Sequence, residues 1–121
     1  ISGQNSANEK VPMTAPVAIT VLKQQPTNFT VHFMIPYAYQ ANTPTPTNPK
    51  VFLTDLPELT AYVYQYGGFP TDVSVAQDSA LLESYLKRDN VAYVPGVYLT
   101  GTYDPPYRII DRHNEIWFLG A

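Results

Sequence analysis

From Leu59 to Tyr66 the chain alternates without a break. Leu59, Ala61 and Val63 fall on one side, and Tyr62, Tyr64 and Tyr66 on the other. A repeat of two cannot gather its side chains on one face of a helix, so it predicts a strand whose two faces are used differently. Gly67-Gly68 ends it. The same repeat occurs earlier. Val17, Ile19 and Val21 alternate with Ala18, Thr20 and Leu22, and Phe29, Val31, Phe33 and Ile35 alternate with Thr30, His32 and Met34. Between them, Gln24-Gln25-Pro26-Thr27-Asn28 reads as a turn, so the pair predicts a hairpin. Val51-Phe52-Leu53 reads as the start of a further strand. Gly96 to Tyr103 and Glu115 to Leu119 predict two more, joined through an Asp104-Pro105-Pro106 corner.

One stretch has the helical period instead. Val75, Leu82 and Leu86 stand at i, i+7 and i+11 with Ala76 and Tyr85 beside them, opposite Gln77, Glu83, Lys87 and Arg88. Ser74 and Gln77 have capping-box spacing, and Thr71 or Asp72 would serve a slightly earlier start. Lys87-Arg88 suit the helix C-terminus, and Asp89-Asn90 marks its end. Residues 1–14 read as irregular. Residues 40–50 carry three prolines and three threonines and predict a loop with a mobile tip. Strands dominate around a single main helix, so the class is α+β with a mostly antiparallel sheet.

The length of 121 residues suits one domain, residues 1–121. Charged residues make up 14%, against about 25% in a typical domain. The formal net charge is −3 with no basic cluster, which argues against a nucleic-acid surface. No apolar run approaches the ~20 residues of a membrane span. With no cysteine, thiolate catalysis, disulfides and cysteine-based zinc sites are excluded within the chain. One sequon, Asn28-Phe29-Thr30, offers a glycosylation site at Asn28.

Catalytic patterns do not emerge. Asp55 and Glu58 flank Leu56-Pro57 in a turn, and Ser79 and Ser84 lie on the helix with no histidine at an informative spacing. There is no nucleophile elbow, zinc-binding helix motif or phosphate-cradling glycine loop. The reading is therefore not an enzyme. Of the two histidines, His32 reads as a solvent-facing or hydrogen-bonded strand residue and His113 as a turn residue.

Two motifs near the chain's ends carry a family resemblance. Gly3-Gln4-Asn5 runs through Asn8-Glu9-Lys10 to Met13-Thr14-Ala15-Pro16-Val17. The other end has Tyr103-Asp104-Pro105-Pro106, then Arg112-His113-Asn114-Glu115-Ile116-Trp117. In this order they resemble the SOUL / heme-binding protein family, over the whole chain. The resemblance implies a strongly curved antiparallel sheet, a distorted barrel with helices packed on it. Of that domain this chain would supply about two-thirds. An N-terminal segment of helix and strands normally precedes the first motif, so the domain is expected to be incomplete on that side. A fragment of the same precursor is expected as a second chain to close it, since unpaired sheet edges are poorly stable. With the chain starting at Ile1 and not at Met, the expectation is either that it is cut from a longer precursor or that a separate partner chain supplies the missing part.

The resemblance also implies a ligand site for heme or a related tetrapyrrole, in an apolar cleft between the loop before Met13 and the Tyr103 corner. Position by position it points to Lys10, Met13, Tyr103 and Arg108. Heme propionates need cations such as Lys10 and Arg108. A macrocycle face needs flat or soft apolar partners such as Met13 and Tyr103. The axial histidine of one family branch lies in the absent segment and matches no residue here. Family members often carry arginine where Tyr64 stands, which weakens anion recognition on that face. The tyrosine stripe itself suits a half-buried pleated surface. Leu82 to Val91 only loosely matches a helix-in-groove ligand, and its apolar residues are needed for the core.

The leading expectation is non-enzymatic binding of a tetrapyrrole or similar flat amphipathic ligand. The alternative is a processed, secreted structural, storage or defence protein that keeps the fold without heme. A third reading, an enzyme acting on a small molecule or pigment, would need a nucleophile or metal from the absent segment. Secretion is the expected location, with a cytoplasmic one as the alternative.

Overall fold

A computed structural model describes residues 2–121, apart from the side chain of Pro26. Ile1, on which the processing argument turns, lies outside the described residues. The elements in order are β1 (Val17–Leu22), β2 (Gln25–Phe33), α1 (Tyr37–Gln40), β3 (Ala61–Tyr66), α2 (Asp72–Arg88), β4 (Val97–Thr102) and β5 (Asn114–Leu119). The strands make one antiparallel sheet in the order β2-β1-β4-β5-β3. It stays open rather than closing into a barrel, with β2 and β3 as its edges. The α+β class is as the strand and helix periods predict. No described helix is long and apolar enough to cross a membrane.

Register decides the faces, because directly paired residues project to the same side. Val21 pairs with Tyr98, Thr100 with Ile116, and Ile116 with Tyr64. The alternating sides of five strands therefore line up. One face carries Val17, Ile19, Val21, Tyr98, Ile116, Phe118 and the stripe Tyr62, Tyr64 and Tyr66. Helix α2 packs on this face. Its buried side chains are Ser79, Leu82 and Leu86. Together with Val21, Tyr98, Ile116 and Phe118, the two leucines make the core, and the three tyrosines pack around it. Burying each such apolar side chain stabilises by about 1.5–3 kcal/mol. Tyr93 meets Phe118 edge-on with ring centroids 5.5 Å apart.

Thr71 caps α2. Its hydroxyl accepts from Ser74 N at 3.0 Å, and its own N–H donates to Ser74 Oγ at 2.9 Å. Ser74 thus completes the capping box that Thr71 opens, rather than capping a later start. The buried stripe runs Val75, Ser79, Leu82, Leu86. Ala76 and Tyr85 fall outside it, and Ser79 is tolerated because its hydroxyl donates to Ala76 O at 2.9 Å. Asn90 takes a left-handed φ of 53° and closes the helix. Lys23 and Glu83 tie the β1–β2 hairpin to α2.

Three expectations change. The β1–β2 turn is tighter than Gln24–Asn28, since β2 starts at Gln25. The register slips between Val21 and Leu22, and the extra residues form an irregularity before Phe29. Val51-Phe52-Leu53 is not a strand. Three apolar residues carry no period, and β3, the strand at that edge, pairs only with β5. The proline-rich loop is tethered rather than free at its tip. Asn5 bridges Pro46, and Ser6 N donates to Thr45 O at 2.8 Å.

Helix α2 covers only part of its face. Phe29, Val31 and Phe33 on β2 project to the same side yet remain 55%, 50% and 50% exposed.

Candidate functional site

Val17 at the start of β1 pairs with Thr102 at the end of β4, and Thr102 pairs with Asn114 at the start of β5. Hence the segment before β1 and the β4–β5 loop leave the sheet at the same end. The first carries Lys10 and Met13, and the second carries Tyr103 and Arg108.

Asn5 organises the first segment. Its side-chain oxygen accepts from Ala7 N at 3.1 Å and Glu9 N at 3.2 Å, and its amide donates to Glu9 O at 2.7 Å. Gly3 and Asn8 supply the positive φ values, 84° and 50°, that let the chain curl around it. Lys10 and Met13 are exposed, and Thr14 donates to Met34 O beside β2.

The β4–β5 loop is built around Arg112, a buried residue that sequence reasoning passed over. Its guanidinium donates to Pro105 O at 2.7 Å, Arg108 O at 2.9 Å, Gly68 O at 3.3 Å and Asp104 O at 3.4 Å. It also lies 4.1 Å from the Phe69 ring centroid. The fork of fixed donors suits several carbonyls at once, which lysine could not match. Asp104 accepts from His113 N at 2.6 Å and lies 3.5 Å from Arg108 Nε, which also donates to Ile110 O at 3.0 Å. The loop's tip is apolar and outward, with Tyr107, Ile109 and Ile110 at 84%, 78% and 74% exposure. Buried Asn114 donates to Gly68 O at 2.7 Å, while its oxygen has no partner among the described residues.

Tyr103, His113, Glu115 and Trp117 share the helix-free face, since each is an even number of residues from its strand neighbours there. Glu115 is the hub. Tyr103 OH and Trp117 Nε1 donate to its Oε2 at 2.9 Å and 2.8 Å, and His113 Nε2 lies 2.9 Å from Oε1. Burial alone would raise the Glu115 carboxyl, but the bonds from His113, Trp117 and Tyr103 outweigh it and hold it below its ordinary value. Burial, and then the carboxylate beside it, push the Tyr103 hydroxyl up.

The two segments carrying the four predicted site residues thus leave the sheet at the same end. Among the described residues no hydrogen bond or ion pair joins Lys10 or Met13 to Tyr103 or Arg108. Asn28 is exposed on β2, where its amide donates to Gln25 at 3.3 Å. His32 is a hydrogen-bonded strand residue, 3.0 Å from Thr20 Oγ1. His113 is more than a turn residue, and Glu115 anchors the corner as its place in Asn114-Glu115-Ile116-Trp117 suggests. Arg112 and Trp117 announce themselves in the sequence only as the two ends of the Arg112–Trp117 motif. Two shallow depressions lie elsewhere and include none of the four. One is lined by Glu58, Leu59, Thr60, Tyr62, Gly120 and Ala121, the other by Val21, Lys23, Ala76, Ser79, Ala80 and Tyr98.

By residue type, the exposed cations Lys10 and Arg108 and the exposed Met13 suit a flat ligand bearing carboxylates. Among the described residues no cluster of three His, Asp or Glu side chains prescribes a metal ion.

This architecture defines a class: an open antiparallel sheet under one main helix, with its candidate binding groups on loops at one end. The chain belongs to the SOUL heme-binding protein family, whose model matches residues 1–119. It is 34% identical to heme-binding protein 1 of Xenopus tropicalis over 98% of this chain and 64% of that protein. It is 30% identical to human heme-binding protein 2, over 98% of this chain and 60% of that one. The mouse heme-binding protein 1 is 26% identical over 100% of this chain and 66% of its own length. The chain therefore spans less than two thirds of the length of these curated relatives.

Proposed function

We propose that this protein binds heme or a related tetrapyrrole without catalysing a reaction on it. Family membership and the relatives' names as heme-binding proteins support the ligand class. The observation that carries the reading to these residues is the pairing of Val17 with Thr102. That pairing makes the chain entering β1 and the chain leaving β4 part from the sheet at the same end, which supports a site drawn from the Lys10–Met13 segment and the Tyr103–Arg108 loop. Lys10 and Arg108 would hold the propionates, with Met13 and Tyr103 against the ring. When bound, the tetrapyrrole supplies the light absorption and any iron chemistry; the chain's residues bind and orient it. Hemin titration of the intact natural protein tests this. A saturable Soret shift is expected, weakened in a Lys10→Gln/Arg108→Gln variant. No shift in the parent protein sinks the reading.

The exposed row Phe29, Val31 and Phe33 supports a second element of the proposal. A further segment, the N-terminal fragment of the same precursor, packs there beside α2. Intact-mass analysis of the native protein under denaturing conditions tests it, and a single polypeptide ending at these residues would count against it. The exposure of Asn28 keeps the secreted, ligand-free alternative open to test. A mass decrease on glycosidase treatment, with no Soret shift on hemin addition, would favour it over tetrapyrrole binding.

A further inference from the structure

Three aromatic side chains on the helix-free face share one acceptor. The Tyr103 hydroxyl and Trp117 indole converge on one Glu115 oxygen, and the His113 imidazole faces the other. The carboxylate is 16% exposed, and the edge of Tyr103 stands against His113 with centroids 4.6 Å apart at 89°. An ionised carboxylate only accepts, so the His113 nitrogen facing it carries the proton. The Trp117 ring is fixed again from below, where it crosses the backbone of Gly101. None of these groups takes part in the α2 core, which lies on the other side of the sheet.

A sheltered carboxylate is a poor device for stability alone, since apolar replacements of buried ionic groups are often neutral or better. What Glu115 does achieve is geometric. It locks the tips of three rings that would otherwise turn independently. We propose that Glu115 is a positioning residue of the ligand face, presenting Tyr103 and Trp117 as a preformed platform for a planar tetrapyrrole. This rests on the tetrapyrrole reading above. Glu115 touches the rings, and the rings touch the ligand.

The test uses the intact natural protein, with protoporphyrin IX and hemin as probes. Glu115→Gln keeps the size and loses the charge. Tyr103→Phe keeps the ring and loses only the anchoring hydroxyl, so it serves where the glutamine variant folds poorly. Both are expected to bind about ten-fold more weakly. Both should also change the circular dichroism induced in the Soret band, which reports how neighbouring aromatic rings are oriented. A purely stabilising role would leave that signature as in the parent. Parental affinity and parental Soret dichroism in both variants overturn this inference and leave the tetrapyrrole reading standing. A parent that binds neither probe overturns both.

Discussion

The indole of Trp117 lies across the backbone of Gly101, so close that a Cβ there would stand 2.8 Å from Cζ2 and 3.2 Å from Cε2. Gly101 is buried between Ala18 of β1 and Glu115 of β5. The glycine is therefore required by the ring above it, not by its backbone angles. Gly101→Ala is expected to destabilise by about 1–3 kcal/mol, the usual range for overpacking. Denaturant unfolding measures it. Because the clash is with one ring, adding Trp117→Phe should recover part of the loss, giving less than the sum of the two single changes.

Arg112 gathers four carbonyls from two loops. Arg112→Met would leave the Asp104 and Arg108 carbonyls without this donor, while Pro105 O keeps Arg108 N and Gly68 O keeps the Asn114 amide, at a cost of about 1–3 kcal/mol. Arg112→Lys should recover little, since an ammonium cannot reproduce the planar fork. Hydrogen exchange should rise across residues 103–113 while the β1–β4 ladder stays protected. Uniform loss of protection instead would show that the clamp is not local.

The core beneath α2 makes a different forecast. Leu86→Ala should cost about 2–5 kcal/mol and Thr71→Ala about 1 kcal/mol, the second through the lost cap. Both are read by thermal unfolding. Tyr85→Ala, off the buried stripe, should be close to neutral. A Tyr85 loss as large as that of Leu86 would widen the buried stripe to include Tyr85.

Glu115 also sets an acid limit. Its carboxyl is held below the ordinary 4.5 in the folded chain. The unfolded chain thus takes up its proton first as pH falls, and the stabilisation is present above 4.5 and lost as pH drops through the lowered folded value. Urea midpoints should fall over that window, less steeply in Glu115→Gln. Glu83, lowered by Lys23 and Tyr93 against its own burial, acts in the same direction and leaves a residual slope.

Alternation made most of this sheet readable. The two faces of β1 and β3 were legible from the side-chain period, whereas β4 and β5 were legible only as strands, because Val97, Leu99, Trp117 and Leu119 are as apolar as the Tyr98, Ile116 and Phe118 that face the core. The β2 face was readable too, but not its exposure, which depends on how far α2 reaches. Val51-Phe52-Leu53 misled because hydrophobicity without period says nothing about a pairing partner. The tethered loop was hidden because Asn5, Ser6 and Thr45 meet largely through backbone bonds, with the Ser6 hydroxyl accepting one more from Thr45 N, at a sequence separation no spacing rule covers. Lys10, Met13, Tyr103 and Arg108, the proposed ligand residues, were reached through motif resemblance. Arg112 stood in the same motif, yet its role depends on carbonyls from residues 68 and 104–108, which no spacing rule predicts.

The Arg112 clamp bears on kinetics as much as on shape. On the proposed tetrapyrrole reading, a corner already held by carbonyl bonds has little backbone ordering entropy left to lose on binding. Encounter should therefore proceed near the rate set by diffusion and the small size of the target, without a slow closing step. Sequence changes at Tyr103 or Trp117 should then alter residence time far more than association rate.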